Sequence, residues 1–378
     1  MRNHFDVIII GAGVIGSSIA FNLVKQGRSV LVLEKGRIAS QSSSAAAGML
    51  GAQTELENDS PLFRLARESR GMFPDLALEL KDLTGIDIEL YQNGMLKVAR
   101  SEEEASEFQR FIALQQKLGE EASWIDPYEL QQREPLLEKK LYGAMSIPND
   151  GNVSAPNLTK ALSAAAMTSG AEIKEFTEVS EFVTDGNGIT GVITTTQEAY
   201  HADRVIVAGG AWSRRLLKDA GHELDTYPVK GECFSVKTEK PIVNATIFSK
   251  GCYIVPKSGG RLIIGATEKA HSFDQKVSLE SIAAMMGRAT ELIPALNQAE
   301  WDDAWAGIRP QTKDGLPYLG VHPEINGLFI ATGHYRNGIL LAPITGKLMA
   351  DLVEGIGMNK DWATAFRLER NVIGVEKQ

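Results

Sequence analysis

The fold of this chain is decided by Asp6-Val7-Ile8-Ile9-Ile10-Gly11-Ala12-Gly13-Val14-Ile15-Gly16. Its β-branched apolar run predicts a buried parallel strand, and the glycines after it predict a tight turn. Residues 17–25 then predict a helix, and a second apolar run at 29–33 ends on Glu34. Strand, glycine turn, helix, strand and terminal acid together predict a βαβ nucleotide-binding unit.

Each part of this unit has a physical role. Gly11 permits the turn, Gly13 lets the backbone approach a pyrophosphate, and Gly16 lets the helix pack closely on the sheet. The amides and the dipole at the start of the helix favour negative charge. The Glu34 carboxylate can accept hydrogen bonds from a ribose 2′-hydroxyl, and it disfavours the 2′-phosphate of NADP. A glycine pattern alone often marks only a flexible turn, but strand, helix and acid together favour the nucleotide site.

Length and composition limit the class of protein. With 378 residues the chain is long for one hydrophobic core, so we expect two connected domains. Hydrophobic residues make up 43% of the sequence, as in an ordinary globular protein. The net charge of −9 argues against nucleic acid or an anionic membrane as the main partner.

Cysteines and histidines indicate neither a disulfide framework nor a metal site. Cys233 and Cys252 could pair, but buried reduced thiols in a cytosolic protein are the simpler interpretation. Neither cysteine has metal-like spacing and the six histidines do not cluster, so we predict no metal. The N-terminus has no signal-peptide pattern, and no apolar run approaches the roughly 20 residues of a membrane span. We therefore expect a soluble, cytoplasmic protein.

Three further stretches have the small residues that a bound cofactor needs nearby. Residues 41–51 are small, polar and uncharged, which suits either a flexible linker or, as we favour, a segment that wraps a cofactor. Residues 208–213 join an apolar strand to a Gly-Gly turn, which suits either passage of phosphates or a simple strand-to-helix turn. Residues 328–333 predict a strand that ends at glycine, and residues 339–353 predict an apolar helix whose N-terminal amides could face a negatively polarised group.

The remaining chain predicts a second, β-rich part. Segments within 228–268 predict a mainly antiparallel sheet, and 86–98 predict strands interrupted at Asn93-Gly94. We interpret 101–118 and 127–140 as solvated surface, 149–153 as a turn, 202–207 as one strand and 301–317 as turn-rich. The predicted class is α/β plus α+β. A discontinuous nucleotide-binding domain takes 1–85, 145–220 and 305–378, and a substrate domain takes 86–144 and 221–304.

Six stretches, in order, carry a family resemblance. Beyond the opening motif with Glu34, they are residues 43–50, 228–232, 252–256, 305–315 and 333–343. With them the chain resembles the glycine, sarcosine and D-amino acid oxidase family of FAD flavoproteins over nearly its whole length. Within that family it is most similar to the bacterial glycine oxidases of thiamine synthesis.

The resemblance implies noncovalent FAD, with its flavin ring at the domain boundary. It also implies a homotetramer and a substrate carboxylate held by Tyr253 and Arg309, with Arg336 at the same site. The implied cofactor-binding residues are Gly11, Gly13, Val14, Ile15, Gly16, Glu34, Lys35, Ser42, Ser43, Ala47, Gly48, Met49, Val179, His334, Tyr335, Arg336, Asn337, Gly338, Ile339 and Leu340.

The implied reaction is oxidative deamination of glycine and related small amines by hydride transfer from Cα to the flavin. A guanidinium suits this task because it grips a carboxylate through two parallel hydrogen bonds. A tyrosine adds a donor and an apolar wall. No residue in these motifs is an evident base. Alternatives are a sarcosine or D-amino acid oxidase, a flavin dehydrogenase with another electron acceptor, and a flavin-binding sensor without catalysis.

Two positions leave the substrate range open. Some glycine oxidase relatives carry a larger side chain where Gly251 stands, and some carry an apolar residue where Glu268 stands. If both border the pocket, they would admit bulkier amines, for example the N-substituted glycine glyphosate.

Overall fold

The first motif lies at the centre of a six-stranded sheet. The computed structural model describes residues 4–370 apart from 56, 187, 220 and 222. Neighbouring strands in this sheet are, in order, Tyr318–Val321, Leu328–Thr332, Val205–Val207, Val7–Ile10, Val30–Leu33 and Glu172–Lys174. All pair in parallel except the first two, which are antiparallel. The predicted parallel strands and terminal acid are confirmed.

Side chains alternate between the two faces of the first strand, which explains why the whole run is apolar. Val7 and Ile9 pack under helices, whereas Ile8 and Ile10 face the opposite core cluster. The covering helices are Val14–Lys25, Ala155–Thr168, Gly338–Val353, Pro61–Gly71 and Phe73–Thr84. The opposite core cluster adjoins a four-stranded sheet, ordered His4–Phe5, Ala199–Ala202, Ile189–Thr194 and Val179–Thr184.

Gly11 is required by the turn itself. Its φ is +109°, and a Cβ there would lie 2.7 Å from the Ala208 carbonyl oxygen. A Cβ on Gly16 would overlap the Gly11 carbonyl oxygen, so the helix could not start so close to the strand. The two glycines therefore bring the start of the helix to the carboxyl edge of the sheet.

The β-rich part is a nine-stranded, mainly antiparallel sheet, as predicted. Only Thr246–Ser249 and Met95–Val98 pair in parallel. Eight of its strands follow one another in the order Lys269–Ala270, Thr226–Lys237, Arg261–Gly265, Cys252–Pro256, Thr246–Ser249, Met95–Val98, Ala144–Ile147 and Ser123–Ile125. The ninth strand, Glu300–Thr312, pairs with Thr226–Lys237.

Other elements connect these sheets. Met49–Leu50 pairs with Gly151–Asn152. The other α-helices are Ser42–Ala45, Glu102–Lys117, Pro127–Arg133, Ser213–Asp219, Leu279–Leu292 and Lys360–Ala365, and the 3-10 helices are Gly210–Trp212, Ser258–Gly260, Pro294–Gln298 and Tyr335–Asn337. Over the residues that the structure describes, no helix is both long and apolar enough to cross a bilayer. The two-domain division stays a prediction; residues 1–3 and 371–378, which it includes, lie outside the described chain.

The turn-rich interpretation of 301–317 is wrong for most of that stretch. Glu300–Thr312 is a strand of 13 residues, paired with Thr226–Lys237 over almost its whole length. Pro310 faces Pro228 in the register, a placement that an edge of the sheet tolerates. The glycines and prolines of this stretch favour a loop by their low strand propensity. Pairing with a neighbouring strand overrides that propensity, and the sequence alone does not reveal the pairing.

Two other strand predictions need correction. The prediction of strands over 86–98 holds only for Met95–Val98, with an isolated bridge at Tyr91. The predicted single strand at 202–207 is divided between two sheets, because Ala199–Ala202 and Val205–Val207 have different neighbours. Local hydrophobicity alone does not distinguish one buried strand from two.

The interpretation of 127–140 as solvated surface is wrong at Glu134. Its side chain is buried and accepts hydrogen bonds from the backbone amides of Asn244 and Ala245, at 3.1 and 2.9 Å. Burial raises the pKa of this carboxyl. Glu134 therefore fastens the loop before Thr246–Ser249.

The predicted turn at 149–153 contains a buried ionic anchor. Asp150 is fully buried and accepts hydrogen bonds from the amides of Gln53 and Thr54, at 3.1 and 2.9 Å. Arg70 donates to Asp150 at 2.6 Å and to Glu120 at 2.6 Å. The network fixes residues 53–54, directly before Glu55.

We predict that Asp150→Ala lowers the free energy of unfolding by about 3–5 kcal/mol, because it leaves the Arg70 charge buried without this partner. Urea denaturation of the purified protein measures the change. Glu79→Ala is the control: Glu79 pairs with Lys25 at the surface, and its loss should cost about 1 kcal/mol or less. Equal losses in the two variants would contradict the anchoring role.

Candidate functional site

One cavity joins the central sheet to the nine-stranded sheet. Its volume is about 530 Å³, within the range of small-molecule and cofactor sites. One end is lined by Glu34, Lys35, Val179 and Trp212, and the other by Tyr253, Arg309 and Arg336. The glycine turn and residues 41–49 lie between these ends.

Most residues that the sequence predicted for the site lie on the wall of this cavity. They are Gly11, Gly13, Val14, Ile15, Glu34, Lys35, Ser42, Ser43, Ala47, Gly48, Met49, Val179, Tyr253, Arg309, His334, Tyr335, Arg336, Gly338 and Ile339. Residues from both sheets thus meet in one place. Their individual roles stay predictions.

Five predicted residues do not line the cavity. Gly16 packs against the turn, and Asn337 and Leu340 lie beside residues that do line it. Gly251 is exposed in the turn before Cys252–Pro256, where an added Cβ would lie 4.0 Å from Arg288. Glu268 lines a second cavity and pairs with Arg336.

The nucleotide end is preorganised by side chains that hold backbone amides. Glu34 is 8% exposed, and its two oxygens accept hydrogen bonds from Ala12 and Gly36 amides at 2.8 and 2.9 Å. Ser43 Oγ accepts from the Val14 amide at 2.9 Å, at the start of the helix. Each carboxylate oxygen keeps a further lone pair for a ligand hydroxyl.

Residues 41–49 contact the substrate end as well, which favours the cofactor-wrapping interpretation over a flexible linker. Ser42 Oγ donates to the Ile308 carbonyl oxygen, and Trp305 Nε1 donates to the Ala45 carbonyl oxygen at 2.9 Å. Both partners belong to Glu300–Thr312, the strand that carries Arg309. The segment therefore ties the nucleotide turn to the substrate residues.

The cavity wall fits FAD. Ser213 Oγ lies on the wall, buried and without a hydrogen-bond partner in the structure, so it can serve a ligand. A Cβ on Gly13 would come within 3.2 Å of Ser43 Oγ and crowd the turn. Gly338 and Ile339 begin the helix Gly338–Val353 at the cavity, and first-turn amides have no acceptor within their helix.

Tyr253 and Arg309 converge at the other end. The Arg309 guanidinium lies against Gly231 on the neighbouring strand, where a Cβ would overlap it. Arg309 Nη1 donates to the Thr267 carbonyl oxygen at 3.2 Å, and none of the described acidic side chains forms an ion pair with it. It is therefore a cation with capacity for an incoming carboxylate.

Tyr253 is 7% exposed, and its hydroxyl lies 3.4 Å from Cys233 Sγ. Burial raises the pKa of Tyr253 well above its usual value of 10.0, and burial also raises the pKa of the Cys233 thiol. Tyr253 is therefore a neutral hydrogen-bond donor. Cys233 and Cys252 are both free and buried, as predicted.

Arg336 differs from Arg309 because acids already flank it. Its Nε donates to Glu55 at 2.7 Å, and its Nη1 donates to Glu268 at 2.5 Å. These two charges raise the pKa of Arg336. Arg336 is thus paired with acids of the chain, whereas Arg309 has no such partner among the described residues.

His334 is buried at the same boundary. Its Nε2 lies 3.1 Å from Thr345 Oγ1, and burial lowers the pKa of His334 to about 3. The imidazole is neutral at physiological pH, so it contributes shape and hydrogen bonding rather than charge.

Sequence reasoning missed several residues of the cavity. Glu55 could have been noticed, because it is the first charged residue after Arg37 and ends an uncharged stretch. Gly231 lies in the resemblance stretch 228–232 without a role assigned to it, and Cys233 follows that stretch; both contribute through pairing with Glu300–Thr312. Other missed wall residues, towards the nucleotide end, are Thr177, Ser180, Thr195 and Arg215, whereas Gly209, Gly210, Trp212 and Ser213 belong to the stretch 208–213 that the sequence had indicated for phosphates.

The chain was compared with known proteins. Residues 6–352 match the family model described as DAO, FAD dependent oxidoreductase. The chain is 49% identical to a glycine oxidase of Geobacillus kaustophilus (strain HTA426), with 100% of both chains covered. It is 38% identical to the glycine oxidase of Bacillus subtilis (strain 168), with 98% of both covered.

The fold agrees with these similarities. A crystal structure of glycine oxidase from Geobacillus kaustophilus superposes with a TM-score of 0.95 at 49% identity, covering 98% of this chain and 100% of that one. A family match over most of the chain and a cavity that suits FAD lead to the same conclusion. The chain belongs to the DAO family of FAD-dependent oxidoreductases.

Proposed function

We propose that this protein is an FAD-dependent oxidase that deaminates glycine and related small amines. The observation that carries this proposal is Arg309, a guanidinium that no described acid neutralises, beside the Tyr253 hydroxyl at the substrate end of the cavity. When bound, FAD supplies the hydride acceptor for the substrate Cα and passes the electrons to O₂, forming H₂O₂. Glycine would give an imine, which water hydrolyses to glyoxylate and ammonia.

Arg309 fixes the substrate by its carboxylate, through two parallel hydrogen bonds. Tyr253 donates a third hydrogen bond, and its ring forms part of the wall. Held at the carboxylate, an amino acid has only its nitrogen and its short side chain left to orient. Fixed geometry of this kind removes much of the entropic cost of the reaction.

The large side chains on the wall at this end of the cavity leave space for small amino acids. These wall residues are Arg309, Arg336, Tyr253, Tyr335 and Glu55. Sarcosine and small D-amino acids are candidate substrates beside glycine, and so are N-substituted glycines such as glyphosate. As the family resemblance implies, we further propose a cytoplasmic homotetramer that serves thiamine thiazole synthesis.

The proposal is tested by mixing the purified yellow protein anaerobically with glycine, sarcosine, D-alanine or glyphosate and following flavin absorbance. We expect glycine to bleach the flavin, and air to restore the colour with formation of peroxide. Colour that persists with all four amines would contradict the substrate class. Bleaching that oxygen reverses only slowly would favour the dehydrogenase alternative.

We predict that Arg309→Met lowers kcat/KM for glycine about 100-fold, mainly through KM, because a charged hydrogen-bonding partner is lost. Steady-state oxygen consumption measures both constants. Arg100→Met is the matched control: Arg100 pairs with Glu291 at the surface, and its removal should leave both constants unchanged. Gly231→Ala tests the same claim independently, since the new Cβ would displace the guanidinium and raise KM. An unchanged KM in Arg309→Met would contradict the assignment.

We predict that Tyr253→Phe raises KM for glycine about fivefold with little change in kcat, as expected for one neutral hydrogen bond. Because the folded pKa of Tyr253 is raised, its hydroxyl stays protonated, and a donor, through pH 10. Acetate binding to the oxidised protein, followed by flavin absorbance, should therefore not weaken between about pH 7 and about pH 10 through this group. Weakening of acetate binding that is absent in Tyr253→Phe would contradict this pKa direction.

A further inference from the structure

Arg336 lies between two acids in different surroundings. Glu55 lies on the inner side, 11% exposed and on the wall of the cofactor cavity. Glu268 is 46% exposed and lies on the wall of a second cavity. Arg336, which lines the cofactor cavity, is thus paired with one acid from the wall of each cavity.

Four charged side chains near the substrate end are unequally paired, since both acids contact Arg336. Arg309 and Arg336 provide two positive charges, and Glu55 and Glu268 provide two negative charges. A substrate carboxylate would pair with Arg309, which no described acidic side chain neutralises. A second anionic group on the same substrate would find Arg336 already paired on both sides, and Glu268 would repel it.

We propose that Glu268 is a specificity-determining residue that lowers kcat/KM for amines carrying a second anionic group, glyphosate among them, relative to amines with neutral N-substituents of similar size. This inference rests on the proposed function, because it assumes an amino acid held at Arg309. Specificity of this kind needs a repulsive element against the wrong substrate, and Glu268 supplies one. Its carboxylate lies outside the cofactor cavity and contacts Arg336, so Glu268 acts on the substrate through charge.

The test uses Glu268→Gln, which keeps the size of the side chain and an oxygen that accepts from Arg336. The substrates are glycine, N-ethylglycine and iminodiacetate; the last two have N-substituents of similar size, of which only one is charged. We expect kcat/KM for iminodiacetate relative to N-ethylglycine to rise about tenfold, mainly through KM, because the variant removes the repulsion between Glu268 and the second carboxylate. The rise is modest because water partly screens a half-exposed charge. The ratio of N-ethylglycine to glycine should not change.

An equilibrium measurement separates charge from catalysis. Malonate and propionate carry no amine to be oxidised, so their binding to the oxidised protein is to be titrated by flavin absorbance. Glu268→Gln should tighten malonate about tenfold and leave propionate unchanged, and the gain should shrink as salt is added. A merely structural role for Glu268 would alter both ligands alike.

Glu280→Gln is the matched control, since Glu280 is an exposed acid on the wall of the same second cavity, at the start of Leu279–Leu292. It removes the same formal charge without touching Arg336, and we expect no change in either ratio. Equal gains in both variants, or no gain in Glu268→Gln, would overturn the proposal. If wild-type protein oxidised none of the amines, the proposed function would fail instead, so the two failures are distinguishable.

Discussion

The substrate end of this protein depends on Arg309, a cation that no acidic side chain among the described residues neutralises. Arg309 lies on a strand whose neighbour provides Gly231, and only the absence of a side chain there makes room for the guanidinium. Among the described residues its recorded hydrogen-bond partner is the Thr267 carbonyl oxygen, a neutral acceptor. A half-buried guanidinium of this kind is stabilised when a carboxylate binds. The strand pairing that positions Arg309 therefore also creates a binding site for a carboxylate ligand.

The cofactor end depends on the edge of the parallel sheet. Three strands, Val7–Ile10, Val205–Val207 and Leu328–Thr332, end at the same edge, and glycines follow at Gly11 and Gly333. Ligands of open α/β sheets bind at this edge, where helix amides and loop backbones converge. The Asp150 network fixes the backbone at Thr54 and thereby positions Glu55. The Glu55–Arg336 pair then joins two segments that are far apart in the chain.

The sequence could predict what local patterns encode. The first βαβ unit, Glu34, the small polar stretch at 41–51, much of which lines the cavity, and the helix Gly338–Val353 all follow from residue type and spacing over short distances. Family resemblance added Tyr253 and Arg309, which composition alone would place in a core strand and a surface loop. What could not be predicted depends on pairing across the chain: the strand Glu300–Thr312, the buried Asp150, and the two acids that neutralise Arg336.

The most direct test of this account is a crystal structure of the FAD-loaded protein with glycolate, a carboxylate that lacks the amine. The account predicts that the glycolate carboxylate lies within hydrogen-bonding distance, about 3 Å, of both Arg309 and Tyr253, while Arg336 keeps its contacts with Glu55 and Glu268. Glycolate bound instead to Arg336, with Glu268 displaced and Arg309 unliganded, would contradict it.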